Sequence, residues 1–137
     1  MQKSFIHLLS YLLFWGIINA CTRSVENNLS LVGKWQWTYS YGGIATQRIN
    51  SSPNIVVFNF NSDSTYNYME NGVVKSNDKY QLTRINANTV VLRLQNFVAS
   101  KLWLSPNGEI YTISGDTLTF TDYMISDGYN HYFQRIK

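Results

Sequence analysis

The sequence predicts an all-β fold, an up-and-down antiparallel β-barrel of about eight strands, on three observations. Apolar and polar residues alternate at period two from Leu31 onward, turn-forming residues recur roughly every ten positions, and helical apolar spacing is almost absent. Parallel strands would need crossovers of a dozen or more residues, usually helical, and no such segment is present.

The opening strand alternates most clearly. Trp35, Trp37, Tyr39 and Tyr41 fall on one face and Lys34, Gln36, Thr38 and Ser40 on the other, so the four rings are expected to point inward. Val56, Phe58 and Phe60 share the next inward face, followed by Tyr66 and Tyr68, Tyr80 and Leu82, then Val90, Leu92 and Leu94, and finally Leu118 and Phe120. Asn61-Ser62-Asp63-Ser64, Asn71-Gly72, Asn86-Ala87-Asn88, Ser105-Pro106-Asn107-Gly108 and Gly115-Asp116 tolerate turn or left-handed geometry and are expected to close short hairpins. Only residues 42–54, with Gly42-Gly43 and Ser51-Ser52-Pro53, read as a long connection, suited to a lid over a barrel mouth. So many antiparallel strands in sequence remove their exposed edges by closing on themselves.

The chain divides at its first cysteine. Residues 1–20 read as a signal peptide, with Lys3 as the positive start and an apolar run over residues 5–18. Those roughly 14 residues would span about 21 Å as a helix, short of the ~30 Å hydrocarbon core. Ile18-Asn19-Ala20-Cys21 resembles the lipobox cut by the lipoprotein-processing peptidase, departing from it at Asn19. The resemblance implies that Cys21 is thioether-linked to diacylglycerol and carries two or three acyl chains such as palmitate. Several acyl chains exceed the marginal hold of a single one. The mature chain then has no free thiol and no disulfide. Residues 21–30 read as the lipidated cysteine and a polar tether, and residues 31–137 as the barrel domain. By resemblance to known sorting rules, the absence of Asp after Cys21 favours the outer membrane of the cell envelope.

Composition narrows the function. The chain is 45% hydrophobic, 15% aromatic and only 14% charged, which suits a packed core rather than disorder. Its 137 residues suit one domain. The formal charge is +3, and loss of Lys3 leaves ten basic against eight acidic side chains. The basic residues are scattered singly, which argues against a nucleic-acid partner.

Gly33-Lys34-Trp35 matches the Gly-x-Trp that opens the first strand of lipocalins, and residues 132–136 supply Arg135 on the last strand. With residues 31–43, 58–66 and 111–120, the chain resembles the lipocalin-like domains of small bacterial lipoproteins. The resemblance implies an arginine stacked over the tryptophan, Arg135 on Trp35, as a device of barrel closure, and an interior that holds a small apolar ligand. Trp35, Trp37, Tyr39, Tyr41, Phe58, Phe60, Tyr66 and Tyr68 would line it, although large rings can also fill an eight-stranded barrel completely.

Chemistry-bearing residues are sparse. His131 is the only histidine after residue 20, with Asp122 and Asp127 near it in sequence, but no Gly-x-Ser-x-Gly elbow accompanies them. It reads as a surface or rim side chain. The carboxylates, among them Asp63, Asp78, Glu109 and Asp116, read as solvated turn residues. Asn59-Phe60-Asn61-Ser62-Asp63 resembles half of a calcium loop but lacks its glycine and distal glutamate, and no His or Cys spacing suggests zinc. The expectation is therefore a non-enzymatic barrel, anchored to the membrane through Cys21, without metal or cofactor, binding a small apolar or amphipathic molecule. The alternative is a solid-core module that docks a protein or glycan, with Phe97, Trp103 or Tyr129 on an exposed apolar patch.

Overall fold

The computed structural model describes residues 30–137; the predicted signal peptide, Cys21 and all of the tether except Ser30 lie outside them. Among the described residues no helix forms, and the strands are β1 (Gly33–Gly42), β2 (Gln47–Asn50), β3 (Val56–Phe60), β4 (Thr65–Glu70), β5 (Val73–Asn86), β6 (Thr89–Leu94), β7 (Glu109–Ser114), β8 (Thr117–Asp122) and β9 (Tyr129–Ile136). All pairings are antiparallel, and β1 pairs with β9, so eight strands close into a barrel with β2 as an extra one.

Strand β1 gives one edge to β9 and divides the other between β3, opposite Gly33 to Gln36, and β2, opposite Tyr39 to Gly42. Strands β2 and β3 therefore lie end to end. Part of the expected lid over residues 42–54 is taken into the sheet as β2. At the seam, Trp35 is the register partner of Arg135, whose guanidinium carbon sits 4.0 Å from the centre of the Trp35 ring. A stack of this kind contributes about 0.5–2 kcal/mol depending on desolvation. The same guanidinium donates to Val32 O and Ser30 O, and the Trp35 indole donates to Leu31 O at 2.8 Å. Gly33 leaves the space: a Cβ there would lie 2.7 Å from an Arg135 nitrogen.

The register of this seam changes partway along. Trp37 pairs with Phe133 but Tyr39 with Tyr132, so Thr38 is an extra residue in a β-bulge. Because side chains alternate at period two, one inserted residue reverses the inward face beyond it. Trp35 and Trp37 are buried, and the next buried side chain is Ser40. Tyr39 and Tyr41, expected inside, are turned outward. Tyr39 stacks on Tyr132 at 4.5 Å with Arg48 on its ring at 3.8 Å, and Tyr41 is 44% exposed.

The interior is built of rings. Phe58, fully buried at its centre, lies 4.9 Å from Tyr68, 5.5 Å from Phe60, 5.8 Å from both Phe97 and Phe133, and 6.0 Å from Phe120. These are the offset and edge-on spacings that aromatic rings prefer.

Two inward faces differ from expectation. Val91 is buried beside Leu92, whereas Val90 is only half-buried, because Gly108 packs against Val91 and Arg93 and covers the outer side of β6. Strand β5 pairs with β4 as far as Lys79 and with β6 from Tyr80 onward, so its second half projects as a hairpin and Leu82 is exposed. A second long connection also appears over residues 95–108, where only the turn at its end was expected. Strict antiparallel order sorts the loops. The β3–β4, β5–β6 and β7–β8 turns lie with Leu31 and Ile136 at one end, and the β1–β2 and β4–β5 turns, residues 95–108 and residues 123–128 lie at the other, here called the far end.

Deleting the Phe58 ring removes the centre of this packing, so Phe58→Ala should cost about 3–5 kcal/mol in denaturant unfolding. Tyr41→Ala, on the opposite side of the wall, should stay within about 0.5 kcal/mol. Equal losses would contradict the reversal of face at Thr38.

Candidate functional site

The seven buried polar or charged side chains among the described residues, Ser40, Glu70, Ser76, Ser105, Glu109, Asp122 and His131, all stand on the far-end halves of their strands or in the far-end loops. Buried polar groups are costly unless hydrogen-bonded, so their partners define what this end is built to do.

One group holds residues 95–108 in place. Tyr66 donates its hydroxyl to Gln95 O at 2.7 Å, and the Ser76 hydroxyl accepts from Val98 N at 2.7 Å. Glu70 accepts from the Tyr68 hydroxyl at 2.7 Å, from the Ser100 and Lys101 amides at 2.8 and 2.9 Å, and from the Ser100 hydroxyl. Desolvation pulls the Glu70 carboxyl upward, but the Ser100 and Tyr68 hydroxyls and the two amides outweigh it and hold it at about 2. Burial pushes the Tyr68 phenol up, and the neighbouring carboxylate adds to this. The fastened segment lays Phe97 onto Phe58 and Tyr68 and buries Leu102.

Beside this plug lies a groove. Two adjoining hollows of about 460 and 170 Å³ share Trp103 and Tyr129. Gly43, Ile44 and Gln47 of the β1–β2 hairpin and Ile125 and Gly128 of the β8–β9 turn border the larger; Trp37, Ile49 and Leu102 border the smaller. The hairpin and turn approach closely because Gly42 and Gly128 meet backbone to backbone, and a side chain at Gly42 would strike Gly128 O. Trp103, 55% exposed, and Ile44 stand at the rim.

The polar side chains in the groove wall belong to a buried row that crosses four strands. Ser40 on β1 is the register partner of His131 on β9, and Glu109 on β7 is that of Asp122 on β8. Ser40 Oγ lies 2.6 Å from His131 Nδ1 and accepts from Trp37 Nε1 at 3.0 Å. A hydroxyl can give to or take from Nδ1, so the imidazole can hold its proton on either nitrogen. His131 Nε2 faces Asp122 Oδ1 at 3.4 Å, while Asp122 Oδ2 accepts from Tyr129 N at 2.7 Å. Glu109 Oε1 accepts from Ser105 N at 2.6 Å, and Glu109 Oε2 is buried without a partner. Burial first, then the charge of Asp122, pushes the Glu109 carboxyl up to about 9, so it is protonated at neutral pH.

Three expectations are corrected here. His131, read as a rim side chain, is 2% exposed and hydrogen-bonded on β9. Glu109, read with the solvated turn carboxylates, is equally enclosed, because it begins β7 under the turn at Ser105, and Glu70 and Asp122 are buried with it. Of the predicted lining, Trp35, Trp37, Phe58, Phe60, Tyr66 and Tyr68 are buried together, and Tyr39 and Tyr41 are not. Only Trp37 among these eight borders the groove. Ser40 escaped the sequence reading because the bulge has no residue signature; the polar phase of the first strand was its only trace.

No family model, no curated protein and no solved structure matches the chain.

The Glu70 cluster generates an acid-stability prediction. Its folded pKa is depressed below the ordinary value of 4.5, so its contribution is complete above pH 4.5 and drains away as pH falls from there towards about 2. Glu70→Gln should be less stable than the parent at pH 7 and should lose less on acidification through that window, as measured by denaturant unfolding at a series of pH values. Parallel stability curves would contradict the assignment.

Proposed function

We propose that the chain is a non-enzymatic binding protein of the cell envelope, anchored in the outer membrane through lipidated Cys21, that holds a small amphipathic molecule in the far-end groove. The observation that carries this reading is the groove itself: an open hollow with Trp103, Ile44 and Ile49 on its apolar sides and Asp122 and His131 in its wall. Sites of this kind combine apolar walls with a few fixed polar groups that orient the ligand. An apolar body would lie along Trp103 and Tyr129 while a polar head meets the buried row. The barrel centre is a poorer candidate, since its rings are packed on one another.

Two further features support the parts of the proposal. Residues 30–33 enter at the end opposite the groove, so a tether to Cys21 would leave the groove facing away from the bilayer. Ser40 is 2% exposed with its oxygen engaged by Trp37 and His131, an arrangement that orients an imidazole rather than presenting a nucleophile.

The docking of a protein or glycan at the same end is the second reading. It is favoured by the packed interior, by the exposure of Ile44 at 91% beside Trp103, and by that of Met124 at 77% in the β8–β9 connection.

Anchoring is tested by Cys21→Ser: the variant should lose incorporation of radiolabelled palmitate and move from the membrane to the soluble fraction. Retention of label and membrane association would refute the anchor. For the groove, native mass spectrometry of the gently purified protein should find a co-purifying small molecule, and an anilinonaphthalene dye should bind saturably. Trp103→Ala should weaken dye binding about tenfold, or ~1.4 kcal/mol. Dye binding undiminished in that variant would remove the groove from consideration, and capture of an oligosaccharide or polypeptide alone would transfer support to the second reading.

A further inference from the structure

The row beneath the groove contains more order than a hydrogen-bonded wall requires. Glu109, Asp122 and His131 each place one potential ligand atom within 4.8 Å of the other two, and all three residues are buried. Among the described residues this is the one group of three such side chains so arranged.

Each of the three commits one polar atom to the scaffold. His131 Nδ1 is held by the Ser40 hydroxyl, Asp122 Oδ2 by the Tyr129 amide, and Glu109 Oε1 by the Ser105 amide. Such outer contacts fix the orientation of a ligand set and are seen around metal-binding histidines and carboxylates. What remains is His131 Nε2, Asp122 Oδ1 and Glu109 Oε2. The last of these accepts no hydrogen bond from any donor although its residue is 2% exposed. A buried carboxyl oxygen that no donor reaches is costly, and a cation in contact with it would remove that cost.

We propose that Glu109, Asp122 and His131 form a binding site for one divalent cation of the zinc type at the floor of the far-end groove. With the Glu109 proton displaced by the cation, two carboxylates and one neutral imidazole balance a double positive charge. One nitrogen with two oxygens suits zinc better than the all-oxygen shells of calcium or magnesium. The Nε2 to Oδ1 distance of 3.4 Å is close to the edge of a tetrahedron whose corners lie about 2.1 Å from its centre. Asp122 and His131 both border the hollows, which supplies a path of entry and a side open to water or to a ligand head group. Ser40 acts as a positioning residue: with the metal on Nε2, the imidazole proton sits on Nδ1 and is donated to the Ser40 oxygen.

The site does not depend on whether the groove takes an organic molecule, and its test involves none. The full chain in detergent, stripped with chelator, is dialysed against Zn²⁺, and bound metal is counted by atomic emission. One equivalent is expected, with Ca²⁺ and Mg²⁺ failing to displace it. Glu109→Gln keeps the acceptor for Ser105 N and the side-chain shape, and should weaken Zn²⁺ binding at least tenfold with circular dichroism unchanged. Ser40→Ala should weaken it by about tenfold through loss of the outer contact. If Glu109→Gln disturbs folding, Asp122→Asn serves as the second variant with the same expectation. No stoichiometric Zn²⁺ on the parent, binding of Ca²⁺ or Mg²⁺ in preference, or unchanged Zn²⁺ affinity in a folded Glu109→Gln or Asp122→Asn protein would each overturn the proposal. In those cases the three side chains are a proton-sharing structural network.

Discussion

Strand β1 must satisfy three neighbours with two edges, and the form of the molecule follows from how it does so. Its pairing with β9 closes the sheet, while β3 and β2 share the remaining edge end to end. A strand that stayed regular along this length would keep Trp35, Trp37, Tyr39 and Tyr41 on one face. The extra residue at Thr38 divides it instead into a half that supplies indoles to the core and a half that sends Ser40 inside. The cost of one interrupted ladder position is local; its effect is to change the chemistry of the barrel along its axis.

That change is carried through the other strands. Towards Leu31 and Ile136 the interior is aromatic, and its polar atoms, the Trp35 indole and the Tyr66 and Tyr80 hydroxyls, each donate to a backbone carbonyl. Towards the far end every buried polar side chain among the described residues is gathered, and two separate networks result. The Glu70 network is saturated, with four donors on one carboxylate, and serves to fasten residues 95–108 over the rings. The Glu109–Asp122–His131 network is unsaturated, with an oxygen left over on Glu109 while Asp122 and His131 border the open hollows. A saturated network stabilises a loop; an unsaturated one next to solvent-accessible space is where a further species gains most by binding.

The barrel was legible because its signals are local. Alternation at Val56, Phe58 and Phe60 and the Asn-Gly and Gly-Asp turns report strands and hairpins directly, and the ends of the chain carry Trp35 and Arg135, which meet at the seam. The far end was legible only in pieces. His131 and Asp122 lie nine residues apart across one β8–β9 turn, so their proximity could be suspected from sequence, but their burial depends on Ser105, Tyr129 and the Gly42 approach. Residues 95–108 look like a polar loop because their function is to be held by Glu70, Ser76 and Tyr66 from other strands. The inward turn of Ser40 rests on one inserted residue, for which alternation alone has no marker.

Lys34 and Ile136 pair at the end of the barrel opposite the far-end loops that carry Trp103. A fluorescent reporter, an affinity handle or a solid support joined at Lys137 would therefore sit a full strand length away from the hollow. Immobilised copies would all present the same uncovered mouth to the surrounding solution, giving a uniformly oriented capture surface without any re-engineering of the sheet.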